Sequence, residues 1–168
     1  AVGPSRANPF TGELYDADIR ISADFVRGFY RSYTEFVAPI IGPVAMNFET
    51  DEPKEEYSSD MCHYGDHLRE EMASSWDLLT ATGIIKGTDK DLQEYIHNGL
   101  VDLILHEVGH TLGLRHNFKA SSIYSIDQLS DPVFTKEYGI SGSVMDYQPI
   151  NVFDGQTFFQ TQPGVYDI

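Results

Sequence analysis

Apolar positions at helical spacing recur in three stretches of this chain. In residues 23–37 they are Phe25, Val26, Phe29, Tyr33, Phe36 and Val37, which predicts a helix that stops before Pro39. Residues 63–79 repeat the pattern, with an end near Gly83 and a short connector over 83–87. The third stretch runs through Leu92, Ile96, Leu100, Leu103 and Ile104 to Leu112. Thr88 or Asp89 can cap it, because a side-chain oxygen there accepts a free backbone N–H. Asp89 and Asp91 suit the positive end of the helix dipole. Gly113 is a natural stop, since glycine tolerates the left-handed backbone of a helix C-terminus.

Strand signals are fewer. Residues 17–22 alternate, with Ile19 and Ile21 on one face, and residues 44–48 form a second short apolar run. Residues 3–12, with Pro4, Pro9 and Gly12, read as loop. So does the acidic stretch 49–60. Beyond Gly113 the punctuation by Pro132, Gly139, Gly142, Pro149, Gly155 and Pro163 predicts loop. The sum is an α+β chain, helix-rich, with a small sheet beside its last long helix.

Its 168 residues suffice for a single domain with a real core, taken as residues 1–168. No apolar run reaches the length of a membrane span, and the first eight residues lack the pattern of a signal peptide. Twenty-six acidic residues stand against eleven basic ones, a formal charge of -15. Such a surface repels nucleic acid and suits calcium or a cationic substrate segment; solubility alone also explains it. Cys62 is the only cysteine, so no intrachain disulfide forms. It reads first as a small buried hydrophobe and second as an exposed thiol.

The chemistry concentrates in His106-Glu107-Val108-Gly109-His110-Thr111-Leu112-Gly113-Leu114-Arg115-His116. On a helix, residues four apart lie about 40° apart around the axis and about 6 Å apart along it. His106 and His110 can thus aim at one metal, and Glu107 lies beside that face within reach of a water. The turn at Gly113 brings back His116 as third ligand. Three imidazoles leave a fourth zinc position open, as in a catalytic site. By typical residue frequencies a bare His-Glu-x-x-His arises in roughly one chain of this length in a few hundred. Gly113 and His116 lower that by roughly a further few-hundred-fold, which favours a metal site over solvated or core histidines.

This spacing resembles the metzincin signature, in which a Met-turn follows the third histidine. Ser143-Val144-Met145-Asp146-Tyr147 supplies such a turn, its methionine 29 residues after His116. The resemblance implies that Met145 is a hydrophobic floor under the ligands. The form Ser-x-Met-x-Tyr is similar to the astacin and serralysin version, which implies that Tyr147 binds zinc or stabilises the oxyanion. Residues 112–122, the Met-turn, Thr11-Gly12-Glu13 and residues 17–21 also resemble a group of large bacterial metzincin-like proteases. That implies a secreted or periplasmic setting. Metzincin domains carry a strand, a helix and a strand before the part matching residues 17–21, and that bacterial group continues past the position of Ile168. The chain is therefore expected to be a fragment that associates with further segments or a second copy.

The functional expectation is a zinc-dependent endopeptidase acting on peptides or proteins, with Glu107 as general base and Tyr147 as oxyanion partner. Two rivals stay open: an inactive zinc-binding module of a larger protein, and a metal-dependent hydrolase of something other than peptides. Asp60, Cys62, His63, Asp66 and His67 cluster in sequence, and His63 and His67 share helical spacing, but a solvated helix start is the simpler reading. Cys62 as an inhibitory zinc ligand is the sharper alternative. Asp102 and Glu94 read as solvated or capping, Asn117 as loop chemistry or a partner that orients the site, and Arg115 as half of an ion pair. Phe153, Phe158, Phe159 and Tyr166 read as core. Asp24 and the acidic loop are candidates for calcium, without EF-hand spacing.

Overall fold

A computed structural model describes residues 5–23, 25–27, 62–153 and 157–161. Expectations for the rest of the 23–37 helix, for the 44–48 strand and for Asp24, Asp60, Tyr166 and the 49–60 loop lie outside these residues. Ala23 and Phe25–Arg27 are helical.

The chain begins with a hairpin. Strand β1, Ser5–Ala7, pairs antiparallel with β2, Leu14–Ala17. Local turn chemistry sets it: Asn8 accepts the Phe10 N–H through Oδ1 and the Gly12 N–H through its carbonyl, and Gly12 has φ 74°. Arg6 and Asp16 form an ion pair across the strands. Three expectations change here, the first being that the 3–12 stretch, read as loop, holds strand Ser5–Ala7. The predicted strand lies at Leu14–Ala17 rather than 17–22, and of the latter stretch Arg20 alone forms a further isolated bridge. The hairpin also buries no face on the long helix, since every residue of both strands is exposed. Turn geometry fixes the register here, and the Ile19/Ile21 alternation does not.

Helix α1 spans Tyr64–Ala81 and buries Tyr64, Leu68, Met72, Trp76 and Leu79, a stripe at three- and four-residue spacing. Helix α2, Asp89–Thr111, buries Leu92, Tyr95, Ile96, Gly99, Asp102, Leu103, His106 and Glu107 on its facing stripe. Its start is a reciprocal box: Thr88 Oγ1 accepts the Asp91 N–H at 3.2 Å, and Asp91 accepts the Thr88 N–H at 3.0 Å. Its end is marked by Gly113 at φ 86°. The helices approach closely at Gly99, where a Cβ would lie 2.7 Å from Met72 Sδ. Tyr95 fills the next layer, donating to the Met72 carbonyl at 3.1 Å and packing edge-on against Trp76 and Phe159. Phe158 and Phe159 join this core as expected, whereas Phe153 is exposed. No described helix is long and apolar enough to cross a membrane.

The predicted long loop after Gly113 holds more order than expected. A 3-10 turn at Ala120–Ser122 precedes helices α3, Ile126–Leu129, and α4, Pro132–Tyr138. Ser125 and Gln128 form a capping box on α3. Asp131 caps α4 through the Val133 and Phe134 N–H groups, with Pro132 in its first turn. These short helices bury few residues, so they leave little periodic apolar pattern.

Packing, more than capping, should hold α2 in place. Leu103 is fully buried, so Leu103→Ala should cost about 2–5 kcal/mol in urea unfolding. Thr88→Ala should cost about 0.5–2 kcal/mol. Equal losses from the two variants would contradict this ranking.

Candidate metal centre

The last two turns of α2 carry His106, Glu107 and His110, and the turn at Gly113 returns His116 to them. His110 Nε2 and His116 Nε2 lie 3.1 Å apart. His106 Nδ1 is 2.6 Å from the Val144 carbonyl, and His110 Nδ1 is 3.1 Å from that of Leu114. A carbonyl only accepts, so each Nδ1 carries the proton and each Nε2 is left as a lone pair. Burial, with smaller effects of the two neighbouring histidines, pushes His106 down to about 3 despite the Val144 carbonyl. Burial also lowers His116. Neutral imidazoles are the form that ligates metal.

The turn over residues 143–147 makes contacts through its backbone with the histidine-bearing segments. Val144 gives its carbonyl to His106, and Met145 gives its own to the Asn117 N–H at 2.8 Å, tying down the residue after His116. Asn117 thus acts through its backbone. Met145 is 1% exposed and lies against Gly109, where a Cβ would stand 2.2 Å from its sulfur. The turn is held from behind. Ser143 Oγ accepts the Met145 N–H, Asp146 accepts from Ser141 Oγ, and buried Gln160 accepts the Ile140 and Ser141 N–H groups.

Tyr147 reaches the same space. Its hydroxyl lies 3.3 Å from His116 Nε2 and accepts the His63 N–H at 3.2 Å, and burial raises its pKa. Glu107 is buried, and its Oε1 has no hydrogen-bond partner among the described residues. Cys62, read first as a small core residue, is only half-buried and points into the site. Its sulfur is 3.4 Å from His106 Nε2, 3.6 Å from His116 Nε2 and 3.4 Å from the Tyr147 hydroxyl. The ligand atoms of Cys62, His106, His110 and His116 all lie within 4.8 Å of one another.

His63 and His67 do not form a second metal group among the described residues. His67 instead stacks on Tyr147, ring centroids 5.8 Å apart. Arg115 and Glu94 are exposed. Asp102 corrects the sequence reading: it is 1% exposed rather than solvated. One turn before His106, it accepts from Tyr64 Oη at 2.9 Å and from Gln148 Nε2 at 3.1 Å. Tyr64 in turn stacks on His106, ring centroids 4.3 Å apart. Polar spacing on a helix carries no mark that separates such a buried hub from a solvated face; the later Gln148 completes it.

The residues present fit a zinc ion. The ligand atoms of three imidazoles and one thiol converge, with the nitrogens of His106 and His110 turned inward as lone pairs. With zinc–nitrogen bonds of about 2.0–2.1 Å, a tetrahedron has nitrogen–nitrogen edges of about 3.4 Å, close to the 3.1 Å between His110 and His116. Comparison with known families gives the same direction: residues 88–168 match the family model described as Met-zincin. That span includes all three histidines, Glu107, Met145 and Tyr147, and begins after Cys62. No curated protein and no solved structure matches the chain.

The buried hub behind His106 should leave a pH signature. Burial raises Asp102 from 3.8 to about 7, against the hydrogen bonds from Tyr64, the Gln160 backbone and Gln148. The folded protein therefore holds this proton more tightly than the unfolded chain. The resulting stabilisation is full below the unfolded pKa and is lost as pH rises through about 7. Asp102→Asn does not titrate, so its deficit against wild type should shrink by up to about 4 kcal/mol between pH 4 and pH 8. Urea unfolding of both proteins across that range measures it; a deficit constant with pH would refute the raised Asp102.

Proposed function

With the site-bearing residues 88–168 metzincin in type, we propose that the chain is a zinc endopeptidase that hydrolyses internal peptide bonds. The observation that carries this reading is the buried Glu107 Oε1, without a hydrogen-bond partner among the described residues, on the helix turn that also carries His106 and His110, whose ligand atoms converge with that of His116.

Zinc held there would lower the pKa of a water toward about 7 and polarise the scissile carbonyl. His106, His110 and His116 would hold it, the first two oriented by the Val144 and Leu114 carbonyls. Glu107 takes the proton of the attacking water on Oε1 and delivers it to the leaving amide nitrogen. Burial keeps that oxygen from competing water. Tyr147 donates its phenolic proton in a hydrogen bond to the former carbonyl oxygen as negative charge gathers there. Its raised pKa keeps the proton available at neutral pH. Met145 packs below and fixes the depth of the helix against the turn.

An inactive zinc-binding module would share the three histidines. It would have no chemical use for a buried carboxylate oxygen left without a hydrogen-bond partner, which costs stability. Glu107 therefore favours hydrolysis.

The test is cleavage of an unstructured protein substrate with and without chelator. It is run on the native chain and on Cys62→Ser, because the thiol reaches the same metal position. Glu107→Gln should keep its zinc, measured by atomic absorption, and lose roughly 10²–10⁴-fold in kcat. Wild-type turnover in that variant would remove Glu107 as the base. Tyr147→Phe should lose roughly 10- to 1000-fold in kcat, at or below the range for one oxyanion donor. Zinc affinity and KM should change little; a loss explained wholly by weaker zinc binding would make Tyr147 a packing residue.

A further inference from the structure

The Cys62 sulfur stands where the catalytic reading needs an open position. Its distances to His106 Nε2 and His116 Nε2 are 3.4 and 3.6 Å. A zinc–sulfur bond of about 2.3 Å and zinc–nitrogen bonds of about 2.0–2.1 Å give tetrahedral sulfur–nitrogen edges of about 3.6 Å. These two edges, and the 3.1 Å between His110 and His116, are close to those of a zinc tetrahedron, and all four ligand atoms lie within 4.8 Å of one another.

Hydrogen bonds can pair these groups only one by one, the thiol with His106 Nε2 and a His116 Nε2–H with His110 Nε2, and such pairing does not require all four ligand atoms to lie within 4.8 Å of one another. The thiol has one proton and faces His106 Nε2, His116 Nε2 and the Tyr147 hydroxyl. His106 Nε2 and His110 Nε2 are both lone pairs, since each Nδ1 proton goes to a carbonyl. A cation at the centre satisfies all four groups at once. Cys62 is also held on purpose-built anchors. Tyr64, two residues on, is fully buried and fixed by Asp102, and the His63 N–H between them bonds to the Tyr147 hydroxyl. The thiol is therefore positioned by the same residues that position His106 and Tyr147.

We propose that the Cys62 thiolate is a fourth ligand to the metal held by His106, His110 and His116, and that it closes the site in a resting state. This rests on the zinc-peptidase reading and adds its regulation. The thiol gives its proton to solvent as sulfur binds the metal. It takes one back when the bond breaks and the position passes to substrate. Four-ligand closure is the arrangement of structural zinc, and three-ligand sites are the catalytic ones. Hydrolysis therefore requires that Cys62 leave. The Tyr147 hydroxyl, 3.4 Å from the sulfur, is freed by the same movement.

The experiment is X-ray absorption at the zinc edge on the zinc-loaded full chain, beside Cys62→Ser and Cys62→Ala. Wild type should show one sulfur neighbour at about 2.3 Å with nitrogen neighbours at about 2.0–2.1 Å, and both variants should lose the sulfur. Cobalt-loaded wild type should show a thiolate-to-metal charge-transfer band in the near ultraviolet, absent from the variants. Zinc should protect the wild-type thiol from a disulfide reagent. Substrate cleavage should be faster in Cys62→Ser than in wild type. Zinc bound through nitrogen and oxygen alone in wild type would overturn the proposed ligand while leaving the peptidase reading intact. A sulfur neighbour, with no chelator-sensitive cleavage by either variant, would uphold the ligand and sink the peptidase reading. Equal cleavage by wild type and Cys62→Ser, with sulfur bound, would overturn the resting-state role.

Discussion

Two backbone carbonyls decide what this site can be. Those of Val144 and Leu114 take the Nδ1 protons of His106 and His110 and so turn two lone pairs inward. A lone pair without a proton or a cation is costly when buried. One carbonyl comes from the turn over residues 143–147 and the other from the turn after α2, so both segments must be in place before the helix presents a ligand set. The Met145 carbonyl on the Asn117 N–H couples the third histidine to the same turn. The metal site is in this sense a property of three segments, although the sequence motif lies on one.

Much of this was legible because helical spacing is a strong constraint. The apolar stripes of α1 and α2, the Thr88 cap and the Gly113 stop follow from local rules, and the three histidines follow from the geometry of those rules. The hairpin was harder. Alternation at Ile19 and Ile21 pointed to one strand, but the turn built by Asn8 and Gly12 selected another. The short helices α3 and α4 did carry signals, in Ser125 with Gln128 and in Asp131 with Pro132. Those are capping signals rather than periodic ones, and the proline and glycine punctuation around them outweighed them.

The site residues divide along the same line. Spacing on one helix identifies His106, His110 and Glu107, and a known turn motif points to Met145 and Tyr147. Cys62 and Asp102 depend on contacts between segments far apart in sequence. Asp102 shares the helix with the ligands, yet its role rests on Tyr64, 38 residues earlier, and Gln148, 46 residues later. Nothing in the immediate neighbourhood of either residue announces such partners. Gly109 lies between these cases: its place in the motif is local, but the reason for it is the Met145 sulfur packed against its missing side chain.

The three histidines also differ in depth. His106 is fully buried, His110 is intermediate and His116 is exposed. The centre therefore has a back wall and a doorway. An incoming ion would meet exposed His116 at the doorway before it reached His106 against Tyr64. Removal by the same path would retrace these contacts in reverse, with His116 the last imidazole to let go. Exchange of the ion would then take place on the side of the molecule where His116 is exposed, away from the buried wall of His106 and Tyr64.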